Sequence, residues 1–395
     1  MRFLRTLSTS RLILLIVAVV VLAGGSAAIA VAAGGGGGPT PPTEPLDQAI
    51  HDALSVGAPT GVSARISFTN RLFPSGALPG SIGSALMSGG SGRLWATNDG
   101  RGRLELQSDA GDVQIVWNRT TLNVYDASSN TVYRATLPAG ASGTSPTSDT
   151  GAPPALAEID SFLTKLGDRV TVSAPQPTNV AGQPAYSVTV SPKHDGGLLA
   201  SAELAWDVDN GVPLQVAVSA QASSSPALEL RATDISYGAV PTSAVDVSPP
   251  AGANVVDIGA LGGGASSTHG DRAPVTGLDA VQAAAGFTVT APDTLVGLPR
   301  KDIRLLGAPD SRTAVAVYGE GLGALLVIEH EADAKVSDQG GPLASLPSIS
   351  IGGTTAHELA TQLGTALAWQ RNGTAFILAG SLPPAAAEAA ARALQ

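Results

Sequence analysis

Residues 204–218 read LAWDVDNGVPLQVAV, and no other stretch limits the fold so sharply. Leu204, Trp206 and Val208 alternate with Ala205, Asp207 and Asp209. Asn210-Gly211 then offers residue types that accept the positive φ angles of a tight turn. Leu214, Val216 and Val218 resume the alternation against Gln215, Ala217 and Ser219. A period of two sends alternate side chains to opposite faces of a strand. The spacing therefore predicts an antiparallel hairpin with the apolar side chains of both strands on one side.

Strands of the same kind surround it. Val62, Ala64, Ile66 and Phe68 alternate with polar residues, and a meander is expected over 93–96, 101–107, 112–118, 121–126 and 131–137. Ile115, Trp117, Leu122 and Val124 form its expected inward face. Further strands are expected over 170–173, 186–190, 202–208, 214–219 and 227–235. Helical spacing occurs over 45–54 and 154–166, where Ile159, Phe162 and Leu166 recur on one side. Residues 71–90 and 138–154 are Gly/Ser/Pro-rich and read as loops, the first with the alternative of a flap over a cavity mouth. A smaller module follows from residue 277, with a helix at its start, strands over 287–290, 314–318 and 324–329, and a last helix over 385–394. Arg371-Asn372-Gly373 is its hairpin signal, between apolar runs at 359–370 and 374–378, and Ser381 is a candidate helix cap.

The first 43 residues hold Arg2, Arg5 and Arg11 and no acid. Residues 12–22 are an unbroken apolar run, and 27–33 continue it. That length suits a membrane-spanning helix, and the leading arginines put the N-terminus inside. A cleaved signal peptide fits the same residues. Either way the rest of the chain is extracytoplasmic, at the membrane face or secreted. The expected organisation is an anchor or signal segment at 1–33, a Gly/Pro linker at 34–44, a larger domain at 45–258, a linker at 259–276, and a small α+β domain at 277–395.

Composition removes several classes of function. The net charge of −10 and the lack of Lys/Arg clusters argue against nucleic acid as a partner. With no cysteine there is no disulfide, no thiol nucleophile and no lipid-modified N-terminal Cys. His330-Glu331 and His357-Glu358 begin like a zinc-protease motif, but Ala334 and Thr361 stand where the second histidine is needed. Residues 319–323, GEGLG, lie between strands and lack the third glycine of a dinucleotide loop. Asp207 and Asp209 are too few for calcium and read as residues that keep the hairpin end solvated. Asn118-Arg119-Thr120 and Asn372-Gly373-Thr374 match the glycosylation sequon, a frequent chance match. No catalytic set, cofactor motif or metal site emerges. What remains is apolar surface, and the sheet is expected to curl around a cavity for lipid. An acyl chain of about 16 carbons gains roughly 10 kcal/mol gross on burial, and association costs take back much of it.

From about residue 45 to 258 the chain resembles the LolA-like lipoprotein carriers and the N-terminal domain of RseB-type regulators. The resemblance rests on the early helix and strand, the meander, and Val180-Ala181-Gly182-Gln183-Pro184-Ala185-Tyr186-Ser187-Val188. Trp206-Asp207 through Asn210-Gly211-Val212-Pro213-Leu214, then Leu228-Glu229-Leu230 to Asp234-Ile235-Ser236-Tyr237, and Pro249-Pro250-Ala251-Gly252-Ala253 complete it. It implies an α+β fold: a curved, incompletely closed antiparallel β-barrel with covering helices, around an apolar cavity for acyl chains.

The expected lining is Ile66, Phe68, Trp95, Leu104, Ile115, Trp117, Leu122, Val124, Leu204, Trp206, Leu214, Val216 and Leu230. In the carriers a strand arginine helps hold the lid; Arg65 lies on the corresponding strand, with Arg93 and Arg103 as alternatives. The expected function is a noncatalytic, extracytoplasmic lipid- or lipoprotein-binding carrier or sensor, with membrane contact through residues 12–33. The alternatives are an RseB-like envelope-stress regulator that binds an anti-sigma factor, and a structural surface protein with a packed core. The anchor segment and the second domain depart from the simple carriers.

Overall fold

The computed structural model describes residues 38–72, 85–137, 155–193, 196–221, 223–260, 275–307, 312–332 and 346–394. The expected anchor or signal segment, the core of the 71–90 excursion, the 138–154 loop and most of the second linker lie outside the described residues. Among the described residues no helix is long and apolar enough to cross a membrane. The chain divides into two compact units. The larger is built from the chain up to Arg71, Ser81–Lys193 and Ala200–Gly263; the smaller from Leu72–Gly80, His194–Leu199 and Gly264–Gln395.

In the larger unit, helix α1 (Leu46–Ser55) precedes β1 (Gly61–Asn70) and a single helical turn, α2 (Ala85–Ser88). The meander is β2 (Gly90–Thr97), β3 (Gly102–Gln107), β4 (Val113–Trp117), β5 (Thr121–Asp126) and β6 (Thr131–Thr136). Then come α3 (Leu156–Gly167), β7 (Val170–Val172), β8 (Gln176–Val180), β9 (Gln183–Pro192), β10 (Leu199–Asp207), β11 (Pro213–Ala220), β12 (Leu228–Tyr237), α4 (Thr242–Val245) and β13 (Asn254–Ala260). All thirteen strands join one sheet in the order β13-β6-β5-β4-β3-β2-β1-β12-β11-β10-β9-β7, with β8 on β9. The path is open at β13 and β7, so the sheet does not close on itself. β1 sits in its middle, paired antiparallel with both β2 and β12. β13 returns to the far edge and pairs parallel with β6. Strand patterning predicts neither β8, which contains Pro177, nor β13, which follows the Pro249-Pro250-Ala251-Gly252 run.

The hairpin of β10 and β11 differs from its expected form. The Asp207 N–H donates to the Val212 carbonyl at 2.9 Å, so four residues rather than two separate the paired ends. Gly211 alone takes positive φ (+63°), and its N–H closes the loop on the Asp207 carbonyl at 2.8 Å. Two-residue and four-residue loops alike set even residues of β10 beside odd residues of β11, so the loop length does not change which side chains share a face. Trp206 packs with Ala49, Tyr186 and Val188, against α1. Leu214 packs with Val180, Ala185 and Ala205 on the other face. The hairpin is apolar on both sides because both sides are covered. Gly211 has a further constraint: a Cβ there would lie 2.3 Å from the Ala53 carbonyl oxygen at the end of α1.

Asp207 is correspondingly not solvated. It is fully buried, and Oδ1 accepts the N–H of Asp209 at 2.7 Å and of Asn210 at 3.1 Å. Asn118 of the first sequon locks the β4–β5 turn, its Oδ1 accepting the N–H of Thr120 and of Thr121 at 2.9 Å each.

The smaller unit contains β14 (Val275–Thr276), α5 (Leu278–Ala285), β15 (Thr294–Leu295), β16 (Leu298–Leu306), β17 (Thr313–Tyr318) and β18 (Leu325–Glu331). β19 (Ser348–Ile351), β20 (Thr354–Thr361), β21 (Gly364–Arg371), β22 (Thr374–Gly380) and α6 (Pro384–Ala393) complete it. Its sheet runs β14-β16-β17-β18-β22-β21-β20-β19, with β15 on β16. Val281 and Ala285 of α5 and Ala387, Ala390 and Ala391 of α6 are buried in the same core as the sheet. There Trp369 and Phe376 stack with ring centroids 5.0 Å apart.

Three expectations change here. The apolar run at 359–370 is two strands with a turn between them. Residues 287–290 are not a strand: the Thr290 N–H is taken by Glu329 Oε2 at 2.7 Å, so it is not available to a ladder. Ser381 does not cap α6, whose N-cap is Pro383; its hydroxyl donates to the Leu363 carbonyl at 2.7 Å.

Candidate ligand-binding face

Residues directly opposite in paired strands share a face of the sheet. Following the registers outward from β1 yields one continuous apolar row. Ile235 (β12) pairs with Ala64, Ala64 with Leu94, and Leu94 with Leu104. Leu104 pairs with Ile115, Ile115 with Val124, Val124 with Tyr133, and Tyr133 with Val256. Eight strands thus contribute apolar side chains to one line without a polar interruption. A second row joins Val216, Leu230 and Phe68, and a third joins Trp117, Leu122 and Ala135.

Burial along the first row is graded. Leu104 and Ile115 are 2% and 5% exposed, Val124 is half-buried, and Tyr133 and Val256 are 39% and 36% exposed. The face is sealed at its centre and open toward β6 and β13. A pocket lies at another end of the strands, lined by Pro59, Val62, Ala96, Gly211 and Pro213, and holds about 30 Å³. That is room for roughly two water molecules, not for an acyl chain.

Ten of the expected lining residues share this face. They are Ile66, Phe68, Leu104, Ile115, Trp117, Leu122, Val124, Leu214, Val216 and Leu230. Three do not. Leu204 and Trp206 face α1, as the hairpin register requires. Trp95 pairs with Ser63 and Arg103 on the opposite face, where the Arg103 guanidinium stands 5.4 Å over its ring. Arg65 is on that opposite face too, exposed beside Arg93 and Asp234, so it points away from the surface that a lid would cover. Patterning overlooked Leu94, Tyr133 and Val256. The alternation in 131–137 carried the signal for Tyr133; β13 had no such signal because its strand went unrecognised.

On β11 and β12 the opposite face carries polar side chains bonded to one another. Arg231 Nη1 donates to Gln215 Oε1 at 2.6 Å, and Gln215 Nε2 donates to Glu229 Oε1 at 3.1 Å. Burial pushes the Glu229 carboxyl above the usual carboxylate range, against the lowering effect of Arg231. At the meander's first turn, hydrogen bonds from Arg101 and then Thr97 hold Asp99 down at about 2. Burial, followed by the charge and hydrogen bond of Glu44, pushes the Tyr186 hydroxyl up to about 12. None of these groups pairs a nucleophile with a base, and each is accounted for by its turn or ladder.

His330 Nδ1 lies 2.9 Å from the Glu331 carbonyl and His357 Nδ1 lies 3.2 Å from the Leu346 carbonyl. Among the described residues no group of three or more His, Asp or Glu gathers as metal ligands do. GEGLG joins the antiparallel β17 and β18 through a single helical turn, not a strand to a helix.

No protein-family model matches the chain, and no curated protein is similar to it. Solved structures are. The chain is similar to MucB of the Pseudomonas aeruginosa MucA/MucB complex, with 14% identity over 87% of this chain and 96% of that one, TM-score 0.43. It is similar to MucB in complex with periplasmic MucA, with 15% identity over 88% and 95%, TM-score 0.42. It is also similar to an outer membrane lipoprotein-sorting protein domain from Vibrio parahaemolyticus, with 10% identity over 51% and 96%, TM-score 0.22. At such scores the likeness carries no assignment of ligand or partner.

Proposed function

We propose that this chain is a noncatalytic, extracytoplasmic binding protein whose larger unit takes acyl chains of a lipid or lipoprotein on its apolar face. The observation that carries the reading is the unbroken row from Ile235 to Val256, buried at its centre and exposed at Tyr133 and Val256. Exposed apolar surface contiguous with a core is where an apolar ligand first gains contact. The chain would enter there and displace the half-buried side chains of β5.

Glycines support a bent sheet behind that face. A Cβ at Gly92 would lie 1.7 Å from the Glu105 carbonyl oxygen, and one at Gly102 would lie 2.0 Å from the Trp117 ring. Strands approach this closely where a sheet curls, and glycine is the residue that permits it. The half-barrel of the LolA-like carriers has this character. An anti-sigma segment, the partner implied by the RseB-like resemblance, remains the alternative ligand class.

Native mass spectrometry of the full chain extracted from membranes tests the reading. Lipid adducts that survive desolvation are the expected result. Bare protein together with no uptake of a fluorescent fatty-acyl probe would overturn it. A peptide in place of lipid would transfer the assignment to the regulator.

A further inference from the structure

Val296 is in the wrong conformation for its residue type. It and Gly297 are the two residues between Leu295 and Leu298, which pair across a tight hairpin. Their φ angles are +45° and +81°. Left-handed backbone is cheap for Gly or Asn and strained for a β-branched side chain. Val296 is 41% exposed and is not part of the smaller unit's buried core cluster. A position that violates local preference without a packing gain is one that folding alone does not explain.

The neighbouring loop carries a second exposed aliphatic group. Leu322, between β17 and β18, is 57% exposed, more than any other large apolar residue among those described. The two loops are tied together: the Gly319 N–H donates to the Pro299 carbonyl at 2.9 Å, and Lys301 pairs with Glu320. The remaining nearby charges are also matched, Arg300 Nη2 meeting Asp293 Oδ1 at 2.7 Å. This end of the smaller unit thus presents two aliphatic tips inside a neutral rim. The tips project from turns, which suits a yielding surface rather than a pocket.

We propose that Val296 and Leu322 dip into the interfacial region of a lipid bilayer. The apolar runs at residues 12–22 and 27–33, behind three arginines, supply the reason to commit to a bilayer, since they suit a chain held at a membrane. Shallow insertion of two aliphatic groups whose neighbouring basic residues, Arg300 and Lys301, are each paired with an acid gives weak, reversible contact that does not depend on anionic lipid. The inference does not require the apolar face of the larger unit to hold acyl chains.

The chain has no cysteine, so one introduced thiol labels one position. Leu322→Cys and Val296→Cys, each carrying an environment-sensitive fluorophore, are to be compared with Gln370→Cys, exposed on β21. The full chain is placed in phosphatidylcholine vesicles with and without brominated acyl chains. Blue-shifted emission and severalfold quenching by brominated lipid are expected at 296 and 322 and not at 370, unchanged in about 0.5 M salt. Val296→Asn, which relieves the strain and so folds at least as well, should at least halve the quenching of a label at 322. Emission equal to that at 370 would overturn the proposal. So would a blue shift that grows with protein concentration without lipid, which reports protein contact, or one that salt abolishes.

Discussion

Tyr237, at the end of β12, donates its phenolic hydrogen to Oδ2 of Asp207, whose carboxylate is wholly buried at the β10–β11 turn, with oxygens 2.5 Å apart. The other oxygen holds the turn's own N–H groups. One carboxylate thereby ties the β10–β11 loop to the end of β12. Burial, and then the bond to Asp207, drive the Tyr237 pKa far above its ordinary value. Removing the hydroxyl leaves the buried Oδ2 without the phenol that donates to it. Tyr237→Phe should cost about 2 kcal/mol in denaturant unfolding, within the range for bonds to charged groups. A loss indistinguishable from zero would show that water replaces the phenol.

Glu329 makes stability fall as pH rises. It is 1% exposed, its bond to the Thr290 N–H is the only lowering influence, and burial pushes its pKa from 4.5 up to about 7. Between those values the folded protein keeps a proton that the unfolded chain has lost. The stabilising effect of the buried acid is complete below pH 4.5 and lost as pH climbs through 7. The full span corresponds to about 3 kcal/mol. Glu329→Gln should flatten that part of the stability–pH curve and raise stability at pH 8 relative to wild type. A parallel curve for the variant would refute the shifted titration.

Relieving Val296 should stabilise the smaller unit. Its φ of +45° is strained for valine and ordinary for asparagine. Val296→Asn is expected to gain about 1 kcal/mol and to raise the melting temperature by roughly 3 °C. A lower melting temperature would mean that the side chain contributes packing after all.

Gly92 and Gly167 make a paired test of how closely β2 and β3 approach. A Cβ at Gly92 collides with the Glu105 carbonyl, whereas one at Gly167, the last residue of α3, meets nothing within 4 Å. Gly92→Ala should cost about 3 kcal/mol or more. Gly167→Ala should be neutral or gain up to about 1 kcal/mol. Similar effects at both sites would remove the argument for a bent sheet.

Val124→Arg and Tyr133→Glu address the open end of the apolar row. Both positions are partly exposed, so each change should shift the melting temperature by less than about 3 °C. Fatty-acyl probe affinity should fall at least about tenfold, because a charge must then be desolvated beside the ligand. Unchanged affinity in folded variants would place the ligand elsewhere.

The amino-acid pattern by itself determined where most strands lie and that α1 and α3 are helices. Alternation and turn residues act within a few positions, and β1 to β6 and β9 to β12 follow from them. Which residues share a face was legible for β4 and β5, where apolar and polar residues alternate cleanly in the meander. It was not legible for Trp95, Leu204 and Trp206, because a strand covered on both sides is apolar on both sides. Only the tertiary structure decided those. The packing of α1 on Trp206 decided that this side of β10 is covered too. The placement of β13 beside β6 brought Val256 into line with Tyr133 across 122 intervening residues. Pairings at that separation depend on which edges remain open once the sheet has formed, a property that no local window of sequence contains.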